Sequence, residues 1–148
     1  MNSYSDLWQM IKLRICQNSS IPESATYGSN NYVGTRVKLR TLQIFTLECV
    51  LHQYRQMHAT SFNPMEGEKA LHHLIFDKTK WLPNVIRALD FNDALFVIKD
   101  EMKLSKLPDD AKDFIDKLNL SEYAHPIDDF PVTDWDPKEN AVFLRCHS

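Results

Sequence analysis

Glycine is scarce in this chain, with three residues in 148 against seven prolines. Sheet proteins with many tight turns need residues that tolerate positive φ, so the scarcity favours helices. It also leaves no glycine-rich loop to cradle a phosphate, and neither G-x-S-x-G nor H-E-x-x-H occurs. Cys16, Cys49 and Cys146 are an odd, widely spaced set without a C-x-x-C pair. That pattern points to reduced thiols in a cytoplasmic setting rather than to a disulfide frame or a zinc knuckle. No segment approaches eighteen uninterrupted apolar residues, and Asp6, Lys12 and Arg14 break up the first apolar stretch, so neither a membrane span nor a secretory leader can be drawn. The expectation is a soluble, cytoplasmic protein.

What is present suits one ordinary globular domain, 43% hydrophobic and 25% charged. The net charge of −3 conceals an uneven distribution. Residues 1–89 hold ten Lys and Arg against six Asp and Glu, a balance of +4, whereas residues 90–148 hold seven against fourteen, a balance of −7. An acidic half works against general affinity for nucleic acid and suits a basic partner.

Tyr4, Leu7, Trp8, Ile11 and Ile15 recur at helical spacing and predict a helix over 4–17. Residues 18–34 gather Ser, Asn, Pro and Gly without periodicity and read as a loop. From Leu39 to Met57 the apolar residues cover the broad face of a central packed helix, with a short strand conceivable just before it. Asn63 and Pro64 read as the cap and first turn of another helix. Leu82, Val85, Ile86 and Leu89 make one stripe; Phe91, Ala94, Leu95, Ile98 and Met102 make another, out of phase, so the chain must break near 90–92. A last amphipathic helix enters through Pro108 and carries Leu107, Ala111, Phe114, Ile115 and Leu118. The expected fold is therefore mostly α: five to six helices over 1–118, then an extended acidic segment over 119–148. Residues 141–146 read either as a segment pinned to the core or as a terminal strand, which could pair with 32–39 in a small two-stranded β-ribbon.

Among constellations that carry chemistry, the histidines His52, His58, His72 and His73, with Glu48 one turn before His52, are the sharpest, and a metal-dependent helical enzyme using Glu48, His52 and His72 is one alternative. On a helical wheel Glu48, His52 and Arg55 lie opposite the apolar stripe, where a solvated charge pair is the ordinary outcome. Cys49 and His52, three apart on one helix, lack a third group to orient the base. Asp109, Asp110, Asp113 and Asp116 alternate with Lys112 and Lys117 as a solvated face does. Residues 68–89 hold two short helices and a turn, which raises a nucleic-acid-binding regulator as a second alternative. That second helix offers few base-reading side chains beyond Asn84 and Arg87.

The stretch "HPIDDFPVTDWDPKEN", residues 125–140, sets Phe130 and Trp135 among five carboxylates and three prolines. Aromatics supply anchor area and acids steer a basic partner, so Asp128, Asp129, Phe130, Asp134, Trp135, Asp136 and Glu139 are the candidate partner-binding residues. The competing expectation is that the two rings fold back onto the core while the acids face out. No catalytic residue, metal ligand or cofactor is expected. The leading functional expectation is a small protein that binds and blocks a basic protein, of the kind by which an immunity protein neutralises a nuclease toxin.

Overall fold

The computed structural model describes residues 3–27, 31–120 and 124–145. Among these residues the chain forms seven α-helices: α1 (Ser3–Asn18), α2 (Tyr32–His58), α3 (Lys69–Thr79), α4 (Pro83–Arg87), α5 (Phe91–Val97), α6 (Asp109–Lys117) and α7 (Pro137–Arg145). Single turns of 3₁₀-helix lie at Glu23–Thr26, Leu104–Lys106 and Val132–Asp134. The described residues contain no strand; Thr60 and Asn63 make one isolated bridge.

The mostly helical expectation holds, and several boundaries differ for identifiable reasons. Residues 32–39 are the first two turns of α2 rather than a ribbon strand. Asn31 starts that helix by accepting from the backbone N–H of Val33 at 3.0 Å and of Gly34 at 3.3 Å. Gly34 is required there because a Cβ would lie 2.1 Å from the carbonyl oxygen of Ala25. The expected 18–34 loop thus contains the 3₁₀ turn that Gly34 packs on, with residues 28–30 outside the described residues. Asn63 and Pro64 do not open a helix. Asn63 closes a turn with Thr60, and α3 begins only at Lys69.

At the other end, residues 141–145 belong to α7, not to a strand; Cys146 lies outside the described residues. Pro137 sits in the first turn of α7, where its missing N–H costs nothing. The side chain of Asp136 accepts from the Glu139 N–H at 3.1 Å and caps the helix. Between Leu118 and this helix the irregular residues of the described chain are 119–120, 124–131 and 135–136, so the last part of the expected extended segment, 137–145, is helical instead.

Two apolar clusters share α2, a rod of about 40 Å. Its first half packs with α1, α6 and α7 around Leu7, Trp8, Ile11, Ile44, Phe45 and Ile115. Its second half packs with α3, α4 and α5 around Leu47, Leu51, Leu71, Ile75, Ile86 and Leu95. Trp135 touches both clusters. Six consecutive residues of α2, 44–49, are buried, so the middle of this helix has no solvent face.

Candidate functional site

Three places on this frame combine chemistry with an opening or an unusual burial. The first is the acidic stretch at 125–140, which the first half of the chain grips through its arginines. Arg40, 1% exposed, donates from Nε to Asp134 Oδ2 at 3.1 Å, from Nη1 to Gln43 Oε1 at 2.8 Å and from Nη2 to the Pro131 carbonyl at 3.0 Å. Its guanidinium also lies over the rings of Phe91 and Phe130. Asp134, fully buried, takes a second donor, Asn18 Nδ2, at 2.9 Å on its other oxygen. Each charge therefore has partners on several sides, the condition under which an ion pair survives in an interior.

Arg36 donates to the Pro126 carbonyl at 2.9 Å, pairs with Asp129, and stacks over Phe130. Arg14 donates to Glu139 at 2.9 Å and to the Asp134 carbonyl at 3.3 Å. Asn92 holds the Asp128 carbonyl at 3.0 Å. Phe130 is buried, and half-buried Trp135 stacks on Phe91 with ring centroids 5.1 Å apart. Of the seven candidate partner-binding residues, then, the two rings and Asp134 are turned inward, Asp136 is a helix cap, and Asp129 and Glu139 pair with arginines. Asp128 faces outward.

The second place surrounds Glu48. Its carboxyl is 1% exposed rather than on the solvated face that the helical wheel indicates, because α7 covers that side of α2. Burial pushes its pKa up to about 7, against the opposing pull of Asn140, Arg55, Trp135 and Arg14. The Asn140 amide and the Trp135 indole N–H lie close enough to favour the charged carboxylate, yet they miss good hydrogen-bond geometry. Glu48 Oε2, Trp135 Nε1 and both polar atoms of the Asn140 side chain are buried without a hydrogen-bond partner among the described residues.

A cavity of about 220 Å³ opens beside Glu48, bounded by His52, Arg55, Glu66, Gly67 and Leu144. His52 and Leu144 also border an adjoining depression of about 180 Å³ that reaches Tyr4, Cys49 and Asp110. Arg55 is turned to the backbone, donating to the carbonyls of Met65 at 2.8 Å and Gly67 at 2.9 Å. Burial raises the Cys49 thiol well above its usual range, which keeps it neutral and unlike an activated nucleophile.

His72 belongs to neither depression. It lies on α3, so Glu48, His52 and His72 do not converge. Among the described residues no three His, Cys, Asp or Glu side chains are grouped to hold a metal ion.

The third place is the α3–α4 corner. Of the stripe Leu82, Val85, Ile86 and Leu89, only Ile86 is buried; α4 is five residues long and is pinned by that one side chain. Phe76, Trp81, Leu82 and Val85 are 37%, 43%, 67% and 46% exposed, and Phe62 in the preceding loop is fully exposed. A groove of about 510 Å³, the largest of these three openings, is lined here by Asn63, Lys69, His72, His73, Phe76, Pro83, Ile86 and Arg87, several of them sequence neighbours of those exposed side chains. His73 on the same wall hydrogen-bonds to the Asn63 amide across 3.1 Å. Burial lowers the pKa of His72, so that ring is neutral at neutral pH. The sequence does carry the signal for this corner, since Trp81, Leu82, Pro83 and Val85 are apolar within a segment too short to bury them.

Comparison of the chain with protein-family models, with curated proteins and with solved structures finds no match.

Proposed function

We propose that the protein works by binding another protein, as a regulator or inhibitor that masks its partner, and that the α3–α4 corner is its docking face. The observation that carries this reading is an open groove lined by exposed Phe76 with Pro83 and Ile86, together with the exposed apolar side chains next in sequence to its lining, Phe62, Leu82 and Val85, and exposed Trp81. Exposed apolar surface of this kind is costly to leave in water and is common at interaction sites. Aromatic and aliphatic side chains at a groove are also what anchors a protein interface. An acid–base centre at Glu48 is less well supported, because a substrate would have to reach a carboxyl that is 1% exposed.

A basic partner remains a second reading. It is favoured by Asp109, Asp113 and Asp116 on α6 and by Asp128, all of which face solvent. The two readings separate in one experiment, affinity capture of the native partner with wild type, Leu82→Asp/Val85→Asp and Asp109→Asn/Asp113→Asn/Asp116→Asn/Asp128→Asn. The corner variant should lose the partner while keeping its helical content and melting temperature, and the acid-neutralised variant should keep it. Retention by the corner variant alongside loss by the other would transfer the function to the acidic face.

A further inference from the structure

The charges around the α3–α4 groove are of one sign. Lys69 and Arg87 are exposed, neither makes an ion pair among the described residues, and no described carboxylate lines the groove. Glu68, at the start of α3, acts on His72, and Lys78 farther along α3 is already held by Glu101 at 3.1 Å. Along the groove itself lie Phe76, Pro83 and Ile86. A groove lined by apolar side chains together with two unpaired cations matches a segment that joins an apolar stripe to acids.

The geometry points to an acidic amphipathic segment of the partner protein as the occupant of this groove. Its aliphatic or aromatic stripe lies against Phe76, Pro83 and Ile86, and its carboxylates meet Lys69 and Arg87. This inference rests on the protein-binding reading above and adds the partner's chemistry to it. A helix is the natural form for such a segment, since one face supplies anchors at i, i+3, i+4 and i+7 and its flanks supply the acids. Nucleic acid fits less well. Duplex readout needs a helix that lies in the major groove with several polar side chains at its start, and α4 spans Pro83–Arg87 with Val85 and Ile86 at its centre. The phosphate backbone also calls for more cations than the two in this groove.

Two synthetic helices of roughly sixteen residues test this, both carrying the same Leu and Phe stripe, one flanked by Glu and the other by Lys. Each is titrated into the full chain while the backbone amide signals of Phe76, Ile86 and Arg87 and the fluorescence of Trp81 are followed at low and high salt. The Glu-flanked helix should shift those signals, bind more weakly as salt rises, and lose roughly tenfold or more in affinity against Lys69→Glu/Arg87→Glu. Equal or tighter binding by the Lys-flanked helix overturns the inference, as does binding by neither. So does the same set of shifts produced by a mixed-sequence DNA duplex, which would make the groove a nucleic-acid site. Sedimentation of the chain alone as a dimer through this face, abolished in Leu82→Asp/Val85→Asp, would make the occupant a second copy. If neither helix binds while Leu82→Asp/Val85→Asp still loses its native partner, the partner's chemistry is wrong and the docking face stands. If that variant keeps its partner, the docking face itself is wrong.

Discussion

Glu48→Gln should change the pH dependence of stability in a direction opposite to that of most carboxylates. The folded chain holds this carboxyl at a pKa of about 7 against an ordinary value of 4.5, because burial disfavours the charged form. Between those two values the unfolded chain has released the proton and the folded chain keeps it. The stabilising preference for the neutral form is therefore complete below pH 4.5, is lost as pH rises to about 7, and does not fall further above that. The shift corresponds to about 3 kcal/mol, a large part of the whole stability of a domain this size.

Glutamine keeps the shape and removes the titration. Any cost of seating its amide beside Asn140 and Trp135 is the same at every pH and drops out of the pH trend. Urea unfolding followed by far-UV circular dichroism, run on wild type and variant in steps from pH 4.5 to 8, should give a difference that grows by about 3 kcal/mol in favour of the glutamine variant across the series. Every other ionisable side chain is common to the two proteins, so only the difference is diagnostic. A difference that stays flat with pH would show that the Glu48 carboxyl is ionised and satisfied inside the fold, and the account of the covered α2 face would be wrong.

Gly34→Ala should destabilise the fold by about 2 kcal/mol or more, since its Cβ would meet a backbone oxygen that cannot swing aside; a melting temperature equal to wild type would refute the close approach. Asp134→Asn should cost about 3–5 kcal/mol by leaving the Arg40 charge uncompensated in the interior, and Arg40→Met combined with Asp134→Leu should recover much of that loss in the same unfolding assay. Asp129→Asn and Glu139→Gln remove exposed partners of Arg36 and Arg14 and should each change stability by less than about 1 kcal/mol, detectable mainly as a weaker dependence on salt. Trp135→Ala should cost about 3 kcal/mol of folding stability, because the ring lies between the two apolar clusters.

The elements legible in the sequence are those whose local pattern and final environment agree. The stripe Leu7, Ile11 and Ile15 is buried, Asp90 caps α5 by accepting from the Asp93 N–H, and α6 follows Pro108. The misread elements fail for physical reasons of two kinds. Pro137 taken by itself reads as a helix breaker, although Asp136 before it and Glu139 after it are the start signal of a helix. At Glu48 a single-helix wheel places a side chain relative to its own helix only. Whether α7 lies over that side is decided by residues some ninety positions later, and no periodicity within α2 records it.

The charge asymmetry between the halves of the chain is the most instructive case, because the tally is correct and its outward reading is incomplete. An excess of cations before residue 89 and of acids after it is what an external basic partner would favour, but it is equally what two parts of one chain need in order to attract each other. Arg14, Arg36 and Arg40 all come from α1 and α2, and each is paired with an acid between Asp129 and Glu139. The chain is in this respect its own basic partner. Charge that is used internally no longer steers an external protein, so on the basic-partner reading the acids that remain for it are those still facing solvent, among them Asp109, Asp113, Asp116 and Asp128. The apolar corner gains weight for the converse reason. Leu82 and Val85 read as core by periodicity, and no described element covers them.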